Sequence, residues 1–375
     1  MRAPPCGRKR QPRAGGPHPR LSRCGRRGAA GLVPTTGALA PSCTRVLRVV
    51  LDTDPGVDDA LALLLALRCP ELQLVGVTTV AGNVGVEQGS RNARAILAAA
   101  GANDVFVCQG ADRPLAGRLT TASYFHGEDG LGGLALPDAP ELTSGGPAAE
   151  FLVGAAIAAE PLTVIAIGPL TNLAHACRLD PRWPARVERI VVMGGAIGAG
   201  NVTPVAEANV HADPEAAAIV LGSGAPITLV TLDVTMQAPL PPSRWQAVRA
   251  AHAGLTATHA ERAATALLDF YMTRTMDSGG PALHDPLAVA VACDPSLVTT
   301  GHLKVAVECQ GEHTRGQSVV WAAGERERTV DRGDHDDVAG LEPVEGTIDV
   351  AFEVDADRFL DFFLSRLFGR VDTPE

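Results

Sequence analysis

Four aspartates fall within eight residues, Asp52-Thr53-Asp54-Pro55-Gly56-Val57-Asp58-Asp59. Carboxylates this crowded repel one another unless a positive charge lies among them. A divalent cation is the usual solution, and oxygen-only ligands favour a hard one, Ca2+ or Mg2+. On spacing alone the cluster is a candidate metal or acid/base site. A plainer reading stands beside it. Asp58 or Asp59 is a helix N-cap, a position where Asp is favoured and complements the helix dipole. A cap accounts for one or two aspartates and leaves the others unexplained.

The flanking residues say how the cluster is held. Val49-Val50-Leu51 is a β-branched apolar run that enters the cluster, and residues 61–67 form an apolar run that leaves it. Pro55 cannot donate to a strand ladder and Gly56 tolerates a tight turn, so the chain bends there. Strand, acidic turn and buried helix is how an α/β protein sets polar groups at the carboxyl end of its sheet. The same rhythm continues. Strands are expected at 46–51, 72–79, 105–107, 162–167, 190–193, 227–232 and 303–307, and helices at 87–100 and 213–221. An amphipathic helix capped by Asp355 is expected over 354–368. Alternation of this kind predicts a Rossmann-like α/β fold, a mostly parallel sheet flanked by helices on both faces. Unusual polar groups recur where the strands end: Gly82-Asn83, Thr171-Asn172, Gly194-Gly195, Gly200-Asn201, Glu207-Ala208-Asn209 and His284-Asp285-Pro286. In a doubly wound sheet such loops converge on one crevice.

Taken together, in this order and spacing, these motifs resemble the inosine–uridine-preferring nucleoside hydrolase family from about residue 46 to residue 367. The resemblance implies a nucleoside hydrolase fold and a Ca2+-dependent cleavage of ribonucleosides to free base and ribose. It implies a metal site of Asp54, Asp59, Asp285 and the Ile167 carbonyl, with a Ca2+-bound water that Asp54 deprotonates. Asp58 and Asn209 match the holders of the ribose 2′- and 3′-hydroxyls, and Asp52 is left in support. Asn201 and Glu207 match groups near the 5′-hydroxyl, Asn83 a sugar contact and His284 a group near the base. The segment 124–133, with His126 on the substrate side, resembles a loop that closes over the substrate. Tyr271 and Arg274 lie in the region that the family uses for base recognition. A homodimer or homotetramer is implied as well. The chemistry is coherent on its own terms: an oxocarbenium-like sugar is stabilised by carboxylates. His284, with an unperturbed pKa of about 6.5, would protonate the leaving base.

Singly, most of these residues have ordinary readings. Asn83, Asn201 and Asn209 suit turns, Thr171-Asn172 suits an N-cap pair, and Glu207 suits a solvated surface. His284 suits a satisfied core position, and Asp285 suits an N-cap ahead of Pro286 at N1. Two other functions compete. A haloacid-dehalogenase-like phosphatase also has an apolar strand ending in Asp-x-Asp, as at Asp52-Thr53-Asp54. It wants Thr or Val where Gly56 stands, and a downstream lysine where only Lys304 is available. A metal-stabilised ribose-binding module without turnover is the other.

Composition sets the outer limits. The 375 residues are 46% hydrophobic, enough for a large core. Residues 1–51 carry eleven Lys+Arg and no Asp or Glu, so the net charge of −10 leaves 21 net negative charges on the remainder. An acidic body argues against nucleic acid as a partner. No run of about 18 apolar residues is present, which argues against a membrane span. Eight scattered cysteines without a CxxC pair read as reduced thiols in a cytoplasmic protein. Residues 1–44 are rich in Arg, Pro and Gly and are expected to be a disordered basic extension. A transit peptide, a basic arm or a stretch upstream of the true start are the readings, the last preferred. Residues 45–370 are expected to form a single domain and 371–375 a tail. Loops are expected at 135–148 and 325–346.

Overall fold

Val49, Val50 and Leu51 have no exposed surface, because the strand that they form lies inside a sheet covered on both faces. The structure, a computed structural model, describes residues 45–136, 145–322 and 347–369. The basic extension, the 325–346 loop, the 371–375 tail and most of the 135–148 loop lie outside them. Nine strands make one sheet: β1 (Leu47–Thr53), β2 (Leu72–Thr79), β3 (Phe106–Gln109), β4 (Leu162–Ala166), β5 (Val187–Met193), β6 (Ile227–Val230), β7 (Val298–Val307), β8 (Ser318–Ala322) and β9 (Ile348–Val354). Their order is β3-β2-β1-β4-β5-β6-β9-β7-β8. β1 to β6 and β9 run parallel, and β7 is antiparallel to both β9 and β8.

Alternate residues of each central strand enter opposite cores. Val49, Leu51, Ile165, Val191 and Met193 join one, while Val50, Val164, Ala166, Ile190 and Val192 join the other. That split follows from the two-residue period of a strand and explains why these strands read as unbroken apolar runs. On the first face lies the helix Val57–Arg68, with residues 57–66 all buried. Its sequence is apolar on every side, which suits a helix enclosed by sheet and neighbouring helices. The helix His284–Cys293 packs beside it. No described helix is long and apolar enough to cross a membrane.

The seven expected strands are all present, with altered ends. β6 stops at Val230 because Leu232–Thr235 turns into a short helix. β7 begins five residues earlier than expected, since its first half is polar and partly exposed. β8 and β9 were not expected. β9 does carry a legible signal in Ile348-Asp349-Val350, but its parallel partner β6 lies more than a hundred residues away in sequence. The helices Val86–Ala99, Pro214–Leu221 and Ala356–Phe368 match their expectations within two residues, and the Asp355 carboxylate accepts the Arg358 N–H as a cap.

This order creates the crevice. From β1 the chain moves outward through β2 to β3, then returns to β4 on the other flank of β1. The carboxyl ends of β1 and β4 therefore flank a topological switch point, where open α/β sheets bind ligands. Asp52, Thr53 and Asp54 leave β1 there, and Ile167 follows β4 on the opposite lip.

Candidate active site

The four aspartates do different work. Asp52 has no exposed surface and points into the sheet, where its Oδ1 accepts the Thr78 hydroxyl and the Asn172 Nδ2. Burial lifts its pKa to about 7 against both bonds. Asp59 is pinned by four donors. Its Oδ1 accepts the Thr53 hydroxyl and the Asp54 N–H, and its Oδ2 accepts the Gly56 N–H at 2.9 Å and Asn83 Nδ2 at 3.0 Å. The carboxylate thus closes the first turn of the Val57–Arg68 helix from its third position, while Gly56 occupies the N-cap. Asp54 accepts the Asn83 N–H on Oδ2 at 2.6 Å, but its Oδ1 is buried with no hydrogen-bond partner. Gly82 and Gly168 make room for it: a Cβ would come within 2.0 Å of Oδ2 at Gly82 and within 2.8 Å of Oδ1 at Gly168. Burial first, then the Asp59 charge, holds Asp54 well above the usual carboxylate range.

Asp58, Asp59 and Asp285 offer carboxylate oxygens that all lie within 4.8 Å of one another. Asp54 is not in that trio, and Asp58, expected on the ribose, is. Asp285 sits one residue into the His284–Cys293 helix, where it is not the expected N-cap; Leu283 holds that position. Burial raises Asp285 well above its usual value, and the charges of Asp58, Asp59, Asp54 and Glu207 raise it further. A cavity of about 350 Å³ opens onto this cluster, lined by Asp58, Asp285, Asn83, Asn201, Glu207 and Asn209, with both histidines and Ile167 also in its wall. No lysine or arginine is among its described lining residues. A second cavity of about 300 Å³ has Asp54 in its wall and shares Asn83 and Asn209 with the first. An all-carboxylate set without a protein cation, with a buried orphan oxygen beside it, fits a hard divalent cation.

The remaining expected residues meet at this cavity, though several bonds differ from their expected use. Asn209 gives its amide to the Ile167 carbonyl at 2.9 Å and the Met193 carbonyl at 3.2 Å. Asn201 accepts the Ala208 N–H. Glu207 is not solvated: it is 1% exposed and caps the Ala208–Ala212 helix, accepting N–H groups from Gly195, Asn209 and Val210. Burial still raises its pKa. His126 lies 3.9 Å from Asp58, but its Nδ1 accepts the Val57 N–H at 3.1 Å. The shorter contact decides the tautomer, so Nδ1 carries no proton and the pair is not an ion pair. His284 Nδ1 meets the Thr235 hydroxyl at 2.7 Å. Burial lowers His284 to about 4, so the ring is neutral at pH 7 and is not the resting acid that its unperturbed pKa promised. Tyr271 lines the cavity and donates to the Ala282 carbonyl, whereas Arg274 is exposed over the Phe270 ring.

Thr171 and Asn172 do not cap their helix, whose N-cap is Leu170. Thr171 donates to the buried Asp213 carboxylate. Asn172 joins three elements: it donates to Asp52 and to the Thr79 carbonyl and accepts the Ala111 N–H. Replacing it by Ala removes one bond from each: Asp52 keeps the Thr78 hydroxyl and the Thr79 carbonyl keeps the Gly110 N–H, while the Ala111 N–H loses its partner. Asn172→Ala is expected to cost about 3 kcal/mol of stability, read from the denaturant midpoint. An unshifted midpoint would show that water takes its place.

Sequence reasoning also missed Asn92, whose Nδ2 bridges the Pro55 and Asp129 carbonyls and so ties the aspartate turn to the 124–133 segment. It missed Thr235, which orients His284. Neither lies in a recognisable motif. The 124–133 segment is a short helix, Ser123–His126, followed by glycines at positive φ, among them Gly130, where a Cβ would meet the Pro55 carbonyl at 2.9 Å.

Residues 49–361 match the profile of the family described as inosine-uridine preferring nucleoside hydrolase. A pyrimidine-specific ribonucleoside hydrolase, RihA, from Salmonella agona is 37% identical over 326 residues, covering 86% of this chain and 98% of the relative. Among solved structures, a purine-preferring ribonucleoside hydrolase from Gardnerella vaginalis superposes with a TM-score of 0.74 at 36% identity, over 86% of this chain and 98% of that one. A plant nucleoside hydrolase does so with a TM-score of 0.75 at 32% identity, over 87% and 100%.

Proposed function

The chain belongs to the inosine-uridine preferring nucleoside hydrolase family, and from that premise we propose how its own residues divide the reaction. It hydrolyses ribonucleosides to free base and ribose. In our reading the cation is Ca2+, held by Asp54, Asp59, Asp285 and the Ile167 carbonyl. When bound, it supplies a Lewis acid that lowers the pKa of the attacking water. The observation that carries this reading is the orphaned Oδ1 of Asp54, buried against the charges of Asp59 and Asp58.

Asp54 takes the proton of the attacking water. Asp58 and Asn209 hold the 2′- and 3′-hydroxyls, Asn83 supports the sugar, and Asn201 and Glu207 bound the 5′ end. The backbone bonds of Glu207 fix the loop that presents Asn209, so its role is chiefly to position. As the glycosidic bond breaks, the sugar becomes cationic and the surrounding carboxylates stabilise it. His126 and His284 face the base. His284 is neutral at rest, so here it hydrogen-bonds to the leaving base and does not deliver a stored proton. A phosphatase reading finds no support, since phosphate wants a basic pocket and this cavity is acidic.

A reducing-sugar assay across inosine, uridine, cytidine, adenosine and guanosine tests the reading. Ribose release is expected to vanish with a calcium-selective chelator and to return with added Ca2+. Full activity after exhaustive chelation would overturn the metal assignment while leaving the hydrolase intact.

A further inference from the structure

We propose that Cys69, Cys293 and Glu71 form a second cation site, for a thiophilic divalent ion of the zinc class, at the far ends of the helices that carry the acidic cluster. Cys69 is the C-cap of the Val57–Arg68 helix, and Cys293 is the last residue of the His284–Cys293 helix. Glu71 lies two residues beyond Cys69, just before β2. The two sulfurs and a Glu71 oxygen all lie within 4.8 Å of one another.

An independent observation points to a ligand. Glu71 Oε1 accepts Arg366, but Oε2 is buried and has no hydrogen-bond partner. The carboxylate is ion-paired with Arg366 through Oε1, and its other oxygen is left without a donor beside a pair of thiols. Soft sulfur donors select zinc-like ions over Ca2+ and Mg2+, and tetrahedral coordination at about 2.3 Å from sulfur needs donors at this kind of spacing. Three side chains leave a fourth position for water, and Cys293, only half-buried, gives a path of entry. Binding exchanges two thiol protons for two metal–sulfur bonds, with no change in oxidation state. A disulfide would join the sulfurs and leave Oε2 as it is.

The location gives the site a purpose. The first turns of the same two helices hold Asp58, Asp59 and Asp285, about 12 to 16 Å away at 1.5 Å per residue. An ion joining their last turns would fix the two helices side by side and so hold the carboxylates in register.

Co2+ is the probe, added to the full-length protein under reducing conditions. One equivalent is expected to produce thiolate-to-cobalt charge-transfer absorption, which an all-oxygen site does not give, and Zn2+ is expected to displace it. The double variant Cys69→Ser, Cys293→Ser is expected to lose the absorption while keeping the far-UV circular dichroism of the folded protein. Glu71→Gln keeps both thiols and is expected to weaken Co2+ binding at least about tenfold. No charge-transfer band in the wild type, a band that survives in the double variant, or a Cys69–Cys293 disulfide in the protein as isolated would each overturn the proposal.

Discussion

Asp54→Asn is expected to lower ribose release at least about 10³-fold while the protein stays folded. The asparagine can keep the bond to the Asn83 N–H through its own carbonyl, so the turn after β1 is preserved. Its amide then stands where Oδ1 has no partner, a donor in place of an acceptor. Both proposed services disappear at once: the charge offered to the cation and the base that takes the proton of water. Stability should not fall, because Asp54 is buried against Asp59 and Asp58 and its charge is a cost to the fold when no cation is present. Reducing-sugar release together with a thermal melt checks both halves. Wild-type turnover in Asp54→Asn would end the assignment of Asp54 as base.

Asp285→Asn should separate function from stability more sharply. Asp285 is 3% exposed and lies against Asp58, Asp59, Asp54 and Glu207. In metal-free protein these groups oppose one another, so neutralising one is expected to stabilise the fold by about 1 kcal/mol. A weaker term opposes the gain, since a carboxylate in a first helical turn interacts favourably with the dipole. With Ca2+ the order should reverse: wild type gains stability by binding and the variant gains little. Ribose release should fall about 10³-fold. Melts with chelator and with Ca2+ read the crossover, and a chelated variant melting below chelated wild type would show that the cluster is not under electrostatic strain.

The relatives' names span pyrimidine-specific and purine-preferring enzymes at 37% and 36% identity. In the proposed reading, base choice falls to the groups at the histidine end of the cavity. Tyr271, fully buried and edge-on to Phe125, forms part of that wall, and Arg274 does not. A sequence window spanning 270–274 contains both residues without distinguishing them, because only the helix rotation decides which side chain turns inward.

By itself the sequence determined the alternation of strand and helix, the loops where the strands end, and which of those loops carry carboxylates and amides. Those features are local: a β-branched run, a proline–glycine turn and an apolar helix are written in consecutive residues. The tertiary structure decided what each polar group does. Thr171 reads as part of a cap pair and Glu207, taken singly, as a solvated acid; their partners make them a buried donor and a helix cap, and Asp59 is pinned by four donors besides facing Asp58 and Asp285. Asn172 bonds to Asp52, 120 residues away, and His284 loses its proton because of what buries it. Burial and long-range pairing fix a carboxylate's charge and a histidine's tautomer, and neither is a property of neighbouring residues in the chain. Even the aspartate turn, so visible in the sequence, is completed only by Asp285, which the fold brings within 4.8 Å of Asp58 and Asp59.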